Sequence, residues 1–131
     1  MKNIVIPSVL VVLALVALTG QALAGEKRGA GLIDAKKARD ILDSDTGAVL
    51  LDVRTDGEFK DGHIAGSILL PYSDINEKTA AEAIPTKETT VIVYCRSGRR
   101  SSIAAGTLRH LGYKNVWDLG AISDWPYGIV K

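Results

Sequence analysis

The chain has 131 residues, 16 basic and 15 acidic side chains, a formal net charge of +1, and one cysteine. Near-neutrality excludes the global positive field that would hold nucleic acid or an anionic membrane surface. A single cysteine excludes an internal disulfide, so Cys95 is either a buried, inert thiol or a reactive one.

Lys2 forms a short basic n-region, and residues 4–18 form an apolar h-region interrupted by Pro7 and Ser8. Ala22-Leu23-Ala24 then reads as a small-x-small cleavage signature. The expectation is a cleaved signal peptide over residues 1–24 and export to the periplasm. The competing reading is an uncleaved membrane anchor, but the run is short for a span of about 20 residues and contains Pro7. No cysteine lies at the end of the h-region to carry a lipid. Residues 1–24 hold one charge, Lys2, so residues 25–131 carry equal numbers of acids and bases and suit one domain. Export leads to an oxidising compartment in which thiols tend to pair. The surroundings of Cys95 therefore decide what it is for.

In chain order, residues 31–33 are a short apolar piece, weakly a strand. Asp34 is a good N-cap for a helix over 35–42, with Ala38, Ile41 and Leu42 at helical spacing. After turn residues 43–47, the continuous apolar run 48–51 suits a strand buried on both faces. Thr55 caps a short helical turn through Glu58 and Phe59. Gly62 and Gly66 lead into a second strand at 67–70, closed by Pro71. Residues 73–83 have mixed helical spacing, and 85–87 form a loop. The clearest strand is 90–94, β-branched at four of five positions. A helix follows over 101–111, with Ile103, Ala104, Leu108 and Leu111 on one side and Gly112 as its stop. A last strand covers 116–119, and 122–125 form a closing turn. Strands alternating with helices predict a parallel sheet covered on both faces, with its site outside the carboxyl ends of the strands.

Cys95 lies at the carboxyl end of the clearest strand, before a tight turn at Gly98 and a helix. This order aims backbone N–H groups and the positive end of a helix dipole at one point. Both favour an anion, so both lower the thiol pKa, and both would equally steady a terminal persulfide sulfur. Arg96, Arg99 and Arg100 add charge suited to an incoming oxyanion. The plainer alternative is a small core residue followed by a solvated helix start. Arginines are poorly placed in a first helical turn, however, and an anionic ligand supplies the missing reason.

Three stretches together resemble the rhodanese-like sulfurtransferases, specifically the small, exported, single-domain type. They are LLDVRTDGEFKDGHIAGSILLPY (50–72), VIVYCRSGRRS (91–101) and LGYKNVWDLGAISDW (111–125), and the resemblance covers about residues 30–130. It implies a three-layer α/β domain over 25–131 with a central parallel sheet of about five strands. It also implies thiosulfate sulfurtransferase activity, passing sulfane sulfur to cyanide or a thiol, with no cofactor and no metal. Cys95 would be the nucleophile, and Arg96, Ser97, Gly98, Arg99, Arg100 and Ser101 the loop that holds the sulfur and substrate. Asp52, Arg54 and Glu58 would support the site, with Arg54 and Glu58 as a structural ion pair. His63 fits a scaffold hydrogen bond better than catalysis. The chain departs from the family at Ala121, which follows Gly120 where paired glycines are common, and at Ser67 and Leu69, where Ala and Asn are usual.

The same scaffold resembles that of arsenate reductases and cell-division-cycle phosphatases. Those place an arginine six residues beyond the cysteine, where this chain has Ser101. The shorter cradle suits one sulfur atom better than a phosphoryl group. A periplasmic persulfide carrier or binding module is the other alternative, because a protein persulfide is both intermediate and cargo. A protein sulfur acceptor is then a conceivable partner, whereas nucleic acid and, after signal cleavage, membrane are not.

Overall fold

The computed structural model describes residues 31–131, so the expected signal peptide at 1–24 lies outside the described residues. Four strands form one parallel sheet: β1 (Val49–Asp52), β2 (Ile68–Leu69), β3 (Val91–Cys95) and β4 (Val116–Ala121), in spatial order β2-β1-β3-β4. The helices are α1 (Ala35–Ser44), α2 (Asp56–Asp61), α3 (Glu77–Ala83) and α4 (Arg99–His110). Short 3₁₀ turns occupy Tyr72–Asp74 and Ile122–Asp124.

The sheet has four strands rather than about five. The fifth position is taken by Leu32, which makes a single parallel bridge to Asp118, with Ile33 N–H bonding the Asp118 carbonyl at 2.9 Å. The piece is too short to continue, because Asp34 accepts from the Lys37 N–H at 2.8 Å and starts α1.

β1 and β3 are buried at every position, as both-face coverage requires. Side chains alternate across the sheet, and this sorts the core into two layers. Val91, Val93 and Cys95 pack with Ala104, Ala105 and Leu108 of α4 and Ala80 of α3. Ile92 and Tyr94 pack on the other face with Ala38 of α1, against Trp117 and Trp125. Helix α4 starts at Arg99, two residues earlier than expected, because Gly98 supplies the turn into it. Its buried stripe is Ser101, Ala104, Ala105 and Leu108. Ile103, expected on that stripe, lies outside it and is 43% exposed. Residues 73–83 resolve into a 3₁₀ turn and then α3, whose start is fixed by a reciprocal capping box between Asn76 and Thr79.

Between Val93 and Tyr94 the pairing of β3 with β4 shifts: Val93 faces Asp118, Tyr94 faces Gly120, and Leu119 is the extra residue. Gly120, at φ +84°, takes the conformation this bulge needs, and its N–H bonds the Asp118 carboxylate at 2.9 Å. The carboxyl ends of β1 and β3, at Asp52 and Cys95, therefore lie on adjacent strands at one edge of the domain.

Candidate active site

β3 delivers Cys95 into the layer under α4, and Gly98 turns the chain back over it. Gly98 adopts φ +100°, ψ −18°, a left-handed conformation that costs a side-chain-bearing residue about 1–2 kcal/mol. The turn aims the Gly98 N–H at Cys95 Sγ, 3.0 Å away. Burial pushes the Cys95 thiol up. The Ser101 hydroxyl and the amides of Ser101, Gly98 and Ser97 pull it down, and the balance lies below the ordinary thiol value. The Ser101 hydroxyl also faces the Gly98 carbonyl at 3.1 Å. Its single proton can serve either acceptor, and an anionic sulfur is the stronger one.

Cys95 exposes none of its surface. In the structure Cys95 has the burial expected of a core thiol, beside the turn amides that an activated one would use. Its flank belongs to the core cluster under α4, while its sulfur meets the turn amides.

The three arginines separate. Arg100 is bound to Glu58 through two hydrogen bonds, Nη1 to Oε1 at 2.7 Å and Nη2 to Oε2 at 2.9 Å. Arg99 lies over the Tyr72 ring, 5.9 Å from its centroid. Arg96 is exposed and lines a cleft of about 580 Å³ beside the loop. Ser97 is exposed, whereas Ser101 is fully buried at the foot of α4.

The supporting residues pair differently from expectation. Arg54 binds Asp52, not Glu58, with Nη2 2.7 Å from Oδ2 and Nε 3.0 Å from Oδ1. Its Nη2 also donates to the Gly62 carbonyl at 2.6 Å. Asp52 closes β1 and Arg54 lies two residues on, so their side chains meet before α2 begins. Glu58, one turn into α2, points instead to Arg100. Through the Thr55 capping box the same carboxylate also fixes the start of α2. The Arg100 guanidinium, set against burial and helped by Thr55, holds the Glu58 carboxyl down at about 2.

Tyr94 is the partner of Asp52 that the sequence reading missed. Its hydroxyl donates to Asp52 Oδ2 at 2.8 Å, accepts from the Ile64 N–H at 3.1 Å and meets Ser67 Oγ at 3.0 Å. Burial, together with the Asp52 carboxylate, pushes this phenol up to about 12. A tyrosine ending an otherwise aliphatic buried strand was the available signal, since a buried phenol needs partners. His63 makes the expected scaffold contact, Nδ1 to the Phe59 carbonyl at 2.8 Å, and stacks on the Phe59 ring.

Residues 34–126 match the family model described as a rhodanese-like domain. The thiosulfate sulfurtransferase PspE of Escherichia coli is 36% identical over 81 residues, 62% of this chain and 77% of the relative. A chloroplastic thiosulfate sulfurtransferase of Arabidopsis thaliana is 33% identical over 115 residues, 79% of this chain and 92% of the relative. Among solved structures, an E. coli rhodanese with anions superposes with a TM-score of 0.60 at 33% identity, covering 64% of this chain and 98% of that one.

Proposed function

The chain belongs to the rhodanese-like family, and on that premise we propose that it is a thiosulfate sulfurtransferase working through a persulfide on Cys95. The observation that carries the reading is the Gly98 N–H on Cys95 Sγ at 3.0 Å, with Ser97 and Ser101 adding to the same anion-stabilising environment. The thiolate attacks the outer sulfur of thiosulfate. A new Cys95 S–S bond forms as thiosulfate's own S–S bond breaks, and the electron pair leaves with sulfite. A second nucleophile, cyanide in an assay or a thiol in the cell, then attacks the outer persulfide sulfur and releases the Cys95 thiolate. Each half-step is a displacement at sulfur, so the kinetics are ping-pong.

Cys95 is wholly shielded, which favours a donor presenting a single narrow atom. Arg96 takes the sulfonate end, since Arg100 is occupied by Glu58 and Arg99 rests on Tyr72. The occupied Arg100 also counts against the phosphatase and arsenate-reductase readings, which need a free guanidinium to embrace a tetrahedral oxyanion. The signature in residues 1–24 supports work in the periplasm.

Intact-mass spectrometry after thiosulfate treatment tests the proposal. The protein gains the mass of one sulfur atom, and cyanide removes it with catalytic turnover. A protein that gains no sulfur refutes the mechanism. One that loads a single equivalent and never turns over is a carrier.

A further inference from the structure

Asp118 is a buried carboxylate, 6% exposed, that neither the sulfur chemistry nor any ion pair among the described residues uses. Burying such a group costs free energy unless a hydrogen bond compensates it. The compensation is specific: Oδ1 accepts from the Gly120 N–H at 2.9 Å, two residues along the same strand. The main chain of Asp118 is itself a fixed point. It faces Val93 in the β3 register, and on its other side it bonds both Gly31 and Ile33. From that anchor the carboxylate holds the glycine that shapes the bulge, at φ +84°.

The bulge lies against the cysteine turn. Tyr94 and Cys95 pair with Gly120 and Ala121, so the irregularity sits at the end of β3, where the loop begins. A Cβ placed on Gly98 would meet the Gly120 Cα at 4.0 Å, ordinary van der Waals contact. Gly98 is the residue whose N–H reaches Cys95 Sγ at 3.0 Å. Close-packed interiors transmit displacement, and a hydrogen bond weakens steeply as its donor turns away. We propose that Asp118 is a positioning residue: by holding the Gly120 bulge it steadies the Gly98 turn and keeps the Gly98 amide aimed at the cysteine sulfur. Its consequence for catalysis rests on the sulfurtransferase reading above, because that amide favours the thiolate that attacks thiosulfate. Acting through space instead, the Asp118 charge would oppose a thiolate, so the two roles have opposite signs.

The pH dependence of thiolate ultraviolet absorbance, read on the full chain, tests this with Asp118→Asn and Asp118→Ala. Both variants remove the charge, but asparagine keeps an oxygen for the Gly120 N–H and alanine does not. The other charged or titratable groups around Cys95 are Arg96 on its loop, Arg99 and Arg100 on α4, Tyr72 in the 3₁₀ turn and Asp52 on β1, while the charged side chains of α3 are exposed. Neither substitution alters them. The Cys95 midpoint should lie higher in Asp118→Ala than in Asp118→Asn. At a pH below both midpoints, sulfur uptake from thiosulfate should be about fivefold slower in the alanine variant, the worth of one hydrogen bond. Equal midpoints, with Asp118→Ala merely less resistant to urea, make the residue structural and overturn the assignment; so does a lower midpoint in Asp118→Ala. Should Asp118→Ala fail to fold, Gly120→Ala takes its place, since its added methyl group meets nothing within 4 Å and disturbs only the backbone. Its midpoint should exceed that of the parent, and an unmoved one overturns the assignment. A parent protein that takes up no sulfur sinks the activity, whereas the midpoints judge Asp118 without any turnover.

Discussion

Replacing Glu58 by Gln removes one charge but leaves a side chain able to reach back to the Thr55 N–H, since glutamine also serves at that position of a capping box. The loss is confined to the ion pair with Arg100, whose two contacts measure 2.7 and 2.9 Å. Glu58 is held from 4.5 down to about 2. At about 1.4 kcal/mol per tenfold change in proton affinity, that sets an upper bound of about 3 kcal/mol. The two side chains are 18% and 27% exposed, and solvent screening lowers the expected loss to about 1–2 kcal/mol. Because the folded-state value lies below the unfolded one, the contribution is complete well above pH 4.5. It declines as pH falls through that value and is gone below about 2. Urea denaturation of parent and variant in steps from about pH 7 to about pH 3 reads this directly. The stability gap should be about 1–2 kcal/mol at the neutral end and narrow at each step below about 4.5. A gap that is constant across the series, or that widens toward acid, refutes the ion pair as its source.

Cys95→Ser should gain no sulfur mass from thiosulfate and transfer none. Its urea midpoint should correspond to a loss of about 1 kcal/mol, because the Gly98 N–H keeps an acceptor. Gly98→Ala should cost about 1–2 kcal/mol through its positive φ and, by displacing the amide, raise the thiol pKa. The pH dependence of thiolate ultraviolet absorbance checks this, and an unmoved midpoint would deny the amide its role. Tyr94→Phe strips a hydroxyl from Asp52, the Ile64 N–H and Ser67. Denaturation should show a loss of about 2 kcal/mol, the penalty of leaving buried partners unsatisfied. Arg96→Gln should raise the KM for thiosulfate about threefold, more than Arg99→Gln does; the reverse order in steady-state kinetics would move the sulfonate contact to Arg99.

The parts of the site legible in the sequence depend on local chemistry. Four β-branched residues in 90–94 specify the strand, and the Gly98 turn and the apolar stripe of α4 follow from spacing, so Cys95 could be placed in advance. The partner exchange between Arg54 and Glu58 could not be read. The i to i+4 pairing rule holds within a helix, and Arg54 precedes α2. The true partner of Glu58 is 42 positions away, on an element that only the packing of β1 beside β3 brings near. The same crossing hid Tyr94, whose phenol joins Asp52 across that strand pair. Leu32 failed as a strand for the opposite reason: a strong local helix cap at Asp34 outcompeted further pairing along β4.

The alternation along β3 makes Tyr94 and Cys95 neighbours in the chain but strangers in space, one turned toward α1 and the other toward α4. Sliding that strand by a single residue would exchange them, burying the phenol beneath the cradle and sending the sulfur into the opposite layer. An insertion at 85–87 can be absorbed before the strand begins. One added residue inside 91–95 would abolish the proposed sulfur transfer while leaving Cys95 and its loop residues in the chain.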